Sequence, residues 1–388
     1  MIGAHAGATG ENKFLMTGGS VTQAVNQIRV GANNGGIMEV SGGVVNALAG
    51  IQFGSSGAAT TWATNAVFRL TGGEVNLNHQ SLVLNAGNVP TNLTNQLVLG
   101  NGTAGSGTLS NFRRFVTTGA SAQAEIHFNG AKAVAGTNAG SDFLNALSGM
   151  TAWVKTGGLW VDTGTATNDV VIAANLLDGG GNGGLIKTGE RTLILRGTNT
   201  YGGSTQVREG TLLANGSALS SRTVVSEGAT LGGSGSLLSV VLEGGTLAPG
   251  NSAGLLRATS LDARTGTFFF ELGAPTQRGI TYDALDISGE VSLSASTLFE
   301  FTNSASYAFQ IGNTFDLIDW GSAQFNNFSS STLLTALNED VGLSSGLAWD
   351  VSTFTTDGKV QVVPEPSSLS LLCVTGLGFC LIFRRRKY

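Results

Sequence analysis

Charge is scarce in this chain of 388 residues. Asp, Glu, Lys and Arg make up 12% of it, against roughly 25% in an average soluble domain, which excludes an ordinary cytosolic enzyme. Proline occurs only 5 times and cysteine twice. Cys373 and Cys380 both fall in an apolar run near the end, so they cannot staple the main body. They stand seven apart, on one face if the run is helical, and read as small apolar side chains. The formal net charge is −5 and the basic residues are scattered except for a final cluster. No basic stripe exists to neutralise a phosphate backbone, which excludes a nucleic-acid partner. Long helical stretches rich in Ala, Glu, Lys and Leu are also missing.

What the chain does have is glycine, 58 residues of it, and 41% apolar residues. Low charge with abundant glycine suggests disorder, but this much apolar material can be buried, so the chain should fold. Val, Leu, Ile and Phe come in short runs broken by Gly, Asn and Ser, which is strand-and-turn composition. The length suits two or three globular domains or one continuous repeat body.

A recurring unit decides for the repeat body. Apolar residues alternate, a glycine pair follows, and apolar residues resume: F-L-M-T-G-G-S-V at 14–21, M-E-V-S-G-G-V-V at 38–45, F-R-L-T-G-G-E-V at 68–75, V-K-T-G-G-L-W-V at 154–161 and V-V-L-E-G-G-T-L at 240–247. Alternation gives each strand one buried face, and glycine permits positive φ or close backbone approach at a bend. Intervals of 24 and 30 residues separate the first three pairs, the length of one β-solenoid coil with variable loops. The expected fold is all-β: a parallel, right-handed β-helix over 1–255, a β-rich cap over 256–356, a linker over 357–366, and one C-terminal hydrophobic helix. An antiparallel sandwich is the alternative.

The chain ends V-V-P-E-P-S-S-L-S-L-L-C-V-T-G-L-G-F-C-L-I-F-R-R-R-K-Y. Pro364-Glu365-Pro366 resists helix formation and marks a stiff start point. The 17 uncharged residues from Ser367 to Phe383 reach about 25 Å as a helix, enough to span a membrane with snorkelling arginines. Arg384, Arg385, Arg386 and Lys387 then stay on the cytoplasmic side, which places everything before Pro364 outside. An exported chain needs an N-terminal signal, yet M-I-G-A-H-A-G-A-T-G-E-N-K-F has no basic start or apolar core; the expectation is that the recorded start is truncated.

In these tail residues, 364–388, the chain resembles bacterial PEP-CTERM proteins. The resemblance implies export from a Gram-negative-type cell, recognition of Pro364, Glu365 and Pro366 by an exosortase-type sorting enzyme, a stop signal at Arg384 to Lys387, removal of the tail and deposition at the surface or in an exopolysaccharide matrix. Residues 183–219 resemble the autotransporter-associated β-strand repeat of secreted passenger domains, through Lys187-Thr188-Gly189, Leu193 with Leu195, Gly197, Asn199-Thr200-Tyr201, Gly203 with Thr205, and Glu209-Gly210-Thr211-Leu212. Residues 231–256 look like the β-helix turns that follow that repeat. A self-transporting passenger would need a barrel, and the sorting tail occupies that place.

Few residues offer chemistry. His5, His79 and His127 lack H-x-H or H-E-x-x-H spacing, and no cysteine is near them to complete a zinc site. The stretch Gly197 to Ser204 has the outline of a phosphate loop, but Gly203 stands where the lysine should be. Asp169, Asp178 and Asn182 lie among glycines without the nonapeptide array of a calcium-binding β-helix. A glycosidase needs paired acids; Asp283 with Asp286, and more remotely Glu271, are the candidates. The odd separation of the two aspartates puts them on opposite faces of a strand. The expectation is an exported structural or adhesin-like surface protein without catalytic activity, cofactor or metal, contacting extracellular polysaccharide, with a membrane helix before processing. A polysaccharide lyase or glycosidase on the same scaffold is the alternative.

Overall fold

The computed structural model describes residues 12–31, 35–54, 65–86, 93–117 and 123–365. The chain winds as a parallel β-helix whose coils present three faces in turn, each strand hydrogen-bonded to the strand one coil before and one coil after. Inward rows make the core. On the first face Met38, Phe68, Leu97, Ile126, Ala152 and Leu176 are successive register partners. On the third, Leu193, Leu212, Leu231, Leu247, Phe268 and Phe299 follow one another. Every one of these side chains is buried, and each large one contributes on the order of 1.5–3 kcal/mol relative to exposure. A single coil cannot bury its own apolar row; the row closes only by stacking.

The glycine pairs sit at corners and stack on each other. Gly19, Gly43 and Gly73 all have positive φ, +76°, +78° and +68°. A Cβ on Gly43 would press into the carbonyl oxygen of Gly19, and one on Gly73 into that of Gly43, so glycine answers both the backbone conformation and the close approach. The pair at 244–245 differs. It lies at the corner between the second and third faces, and its first member carries the positive φ, +83°.

Two expected boundaries move. The strands Leu255–Leu272, Ala284–Ser294, Leu298–Asn303 and Ile318–Asn326 still stack in parallel on the coils before them, so the solenoid continues well past residue 255. Their aromatic content does not set them apart, because Phe268, Phe270, Phe299 and Phe301 occupy the same inward rows. Closure comes from the segments on either side of the last of these strands, within 304–365. The helix Ser330–Asp340, not anticipated from the sequence, is capped by the Ser329 hydroxyl accepting from the Ser331 N–H and lays Leu333 and Leu337 on the last coil. A three-stranded antiparallel sheet follows, with Lys359–Pro364 in its centre between Thr314–Asp316 and Leu347–Asp350. The segment expected as a linker is therefore a central strand; its alternation buries Val360 and Val362, which outweighs the prolines that follow. Among the described residues no helix is long and apolar enough to cross a membrane; the apolar run 367–383 lies outside them.

Candidate functional site

The second face carries one side chain that its row would not predict. Val45, Val75, Leu109, Ala133, Val161, Lys187, Val207, Val225 and Leu242 are successive partners, and Lys187 is 0% exposed. Its Nζ donates to the carbonyl oxygens of Thr188 at 3.1 Å, Gly189 at 2.5 Å and Glu209 at 2.9 Å. Those carbonyls belong to the corners of two adjacent coils, so the amine ties one coil to the next. Burial pulls its pKa down to about 8, against the attraction of Asp162 and Glu209. Glu209 completes the tie by accepting from the Gly189 N–H at 2.8 Å.

The next corner works in the same way. Asn199 is buried, accepts from the Leu176 N–H at 3.1 Å and donates to the Gly197 carbonyl at 3.3 Å. Buried Tyr201 shares a 2.7 Å hydrogen bond with Thr205. Four amides of the phosphate-loop look-alike are consumed by neighbouring coils: Thr198 N–H donates to the Asn175 side chain, Asn199 to Ser217, Thr200 to Leu176 and Gly203 to Gly183. They cannot cradle a phosphate.

The candidate acids separate as the strand alternation requires. Asp283 is 1% exposed, while Asp286 faces outward. Asp283 accepts from the Gly254 and Glu271 N–H groups, each at 2.8 Å, and so pins the turn at 250–254. Burial pushes its carboxyl up to about 8 although both hydrogen bonds pull the other way. Glu271 lies next to it and accepts from the Ser252 hydroxyl at 3.2 Å. Asp286 is bound by Arg278 and, at 3.6 Å, by Arg257. The structure thus brings Asp283 to Glu271 and keeps Asp286 apart.

The remaining candidates do not converge. His79 Nδ1 lies 3.3 Å from the Thr137 amide nitrogen and His127 Nε2 3.0 Å from Glu125; neither meets a serine among the described residues. Asp169, Asp178 and Asn182 are exposed, and the Asp178 carboxylate is used by the Gly180 N–H at 2.8 Å. Among the described residues no three His, Cys, Asp or Glu side chains group as metal ligands. At the C-terminal end Pro364 pairs with Leu347 and the Glu365 N–H donates to Gly346 at 3.0 Å. His5, Cys373, Cys380, Pro366 and Arg384, Arg385, Arg386 and Lys387 lie outside the described residues.

What sequence reasoning missed is a groove on the outer side of the first face, between Leu219 and Trp320, with Arg257, Asp286 and Asp319 in it. A signal was available: L-R-A at 256–258, L-D-I at 285–287 and I-D-W at 318–320 put a charge between apolar residues in consecutive coils.

Comparison with known proteins matches both ends of this description. Residues 185–214 match the family model of the passenger-associated-transport-repeat, the coil held by Lys187, Asn199 and Tyr201. Residues 362–387 match the PEP-CTERM protein-sorting motif, which begins inside the last strand. An extracellular serine protease of Serratia marcescens is 44% identical over 77 residues, which is 20% of this chain but only 7% of that protein. The chain thus spans a small fraction of that relative's length. Neither matched family model is a catalytic domain. The two matches mark the chain as an exported, cell-surface protein that carries a PEP-CTERM sorting motif behind a β-helix containing a passenger-type repeat.

Proposed function

We propose that the chain is a structural or adhesive component of the cell surface or extracellular matrix, released to its place by exosortase-type processing near Pro364-Glu365-Pro366 and without catalytic activity of its own. The observation that carries this reading is the continuous stack. Its inward rows are filled, its corner amides are consumed by neighbouring coils, and its outer faces carry polar residues in rows, such as Asn46 beside Asn76 and Gln96 beside Glu125. Binding by such a body rests on many weak contacts over a long surface.

The hydrolase reading has one observation behind it, the raised pKa of Asp283 beside Glu271. It is the weaker reading, because both Asp283 oxygens are occupied by backbone N–H groups and the side chain is closed to a substrate. The C-terminal peptide mass of the protein recovered from its host's envelope and medium tests the first reading. A mature chain ending near residues 364–366 outside the cell is expected; a cytoplasmic chain retaining Arg384 to Tyr388 would overturn it. Release of reducing ends from matrix polysaccharide by the purified protein would restore the second.

A further inference from the structure

The groove on the first face crosses five successive coils, from Leu219 to Trp320, and has a volume of about 470 Å³, within the range of formed ligand sites. With strands about 4.8 Å apart it extends roughly 19 Å along the solenoid axis. We infer that it binds a linear, near-neutral polysaccharide chain lying parallel to that axis. The inference deepens the adhesive reading above by giving it a site.

The argument starts from the charged row. Arg257, Asp286 and Asp319 are register partners in three consecutive coils. Asp286, in the middle, is paired with Arg278, which reaches in from the loop before it and also meets the Asp316 carboxylate at 3.5 Å. The two ends of the row are left available. Arg257 has a side chain 53% exposed whose one ion pair is a long 3.6 Å contact, and the exposed Asp319 carboxylate makes no ion pair or hydrogen bond among the described residues. A pure donor and a pure acceptor therefore stand two coil spacings apart, as a chain of hydroxyls requires. Exposed Leu219 closes one end and gives an apolar surface against which sugar C–H faces pack; at the other end Trp320, the register partner of inward Ile287, turns to Phe325 and Phe354. One coil spacing is close to the length of one pyranose unit, so contacts made in one coil can be repeated in the next.

Charge selects the class of glycan. Asp319 repels a polyanion, Arg257 repels a polycation, and the paired Asp286 favours neither.

The test is calorimetric titration of the full chain with xylohexaose and cellohexaose as neutral probes, oligogalacturonate as an anionic one and a chitosan hexamer as a cationic one. A neutral probe is expected to bind, with Arg257→Gln and Asp319→Asn each weakening it at least tenfold. Leu219→Arg should block the groove from its other end, and Lys13→Gln, in the first coil, should leave binding unchanged. Thermal unfolding of each variant separates lost folding from lost binding. Absence of binding by both neutral probes, preference for a charged probe, or binding indifferent to all three groove substitutions would overturn the inference. None of these outcomes bears on where the protein resides, so the surface reading is tested separately.

Discussion

Residues 185–249 and residues 304–365 share one core but are held in it differently. In the coils at 185–249 each apolar side chain rests on a similar one above and below, and the polar demand of the corners is met from inside by Lys187, Asn199 and Tyr201. In the closing segment no coil follows, and aromatic rings cover the open end. Phe354 meets Phe299 at 5.8 Å, and Trp349 meets Phe309 at 5.4 Å and Phe315 at 6.0 Å while donating its Nε1–H to the Val341 carbonyl. A repeated coil relies on its neighbours for closure, whereas the last one has to be covered by a segment of different composition.

That contrast can be broken from either side. The largest effect is expected from Phe315→Ala, which removes a fully buried ring in contact with Tyr282, Phe309 and Trp349. A loss of about 3–5 kcal/mol should open 304–365 in hydrogen exchange while the coils at 185–249 stay protected. Equal loss of protection in both regions would show that the two behave as one unit. Gly73→Ala, at φ +68° against the Gly43 carbonyl, should cost about 2 kcal/mol or more, read as a lower urea midpoint, and should affect only the early coils.

Lys187→Met should cost about 1–3 kcal/mol by leaving three carbonyls without their donor. It should also change a pH slope. Folded Lys187 titrates near 8 and an unfolded lysine near 10.4, so between those values the unfolded chain binds more protons and stability rises with pH. The substitution should flatten that rise. Asp283 works in the opposite sense. Its folded value near 8 lies above about 3.9 unfolded, so the folded chain holds the extra proton and stability falls from pH 4 to 8, by up to about 1.4 kcal/mol per unit. Asp283→Asn should remove that fall, and parallel pH curves for wild type and variant would contradict it. The smallest effect, within about 0.5 kcal/mol, is expected for Glu227→Gln on an exposed corner, measured by the same unfolding curves.

The alternation around Gly18-Gly19, Gly42-Gly43 and Gly72-Gly73 was enough to read a stacked coil, because the period of two and the bend both leave residue types behind. The motif around Lys187 was legible as a pattern, but its burial was not. A lysine counts as surface in any composition argument, and only the row running from Val161 through Lys187 to Val207 shows it turned inward. Continuation of the solenoid past Leu255 was hidden because phenylalanine in a strand looks the same in a cap as in a coil. The separation of Asp283 from Asp286 followed from odd spacing. The meeting of Asp283 with the Glu271 amide did not, since it joins residues 12 apart across a turn. The outer groove escaped notice because its charged row is assembled from single residues in three coils.

Lys359–Pro364 has a mechanical consequence. The sorting motif leaves the folded body straight out of the middle strand of a three-stranded antiparallel sheet, flanked by Thr314–Asp316 on one side and Leu347–Asp350 on the other. Tension applied to the tail would load along the strand, first the ladder of Gln361–Pro364 on Leu347–Asp350 and then that of Lys359–Gln361 on Thr314–Asp316, before reaching the coils. A chain held by its C-terminal end would meet this sheet as a cleat: drag on the long body would be taken up at residues 314–364 before it reached the stack behind them.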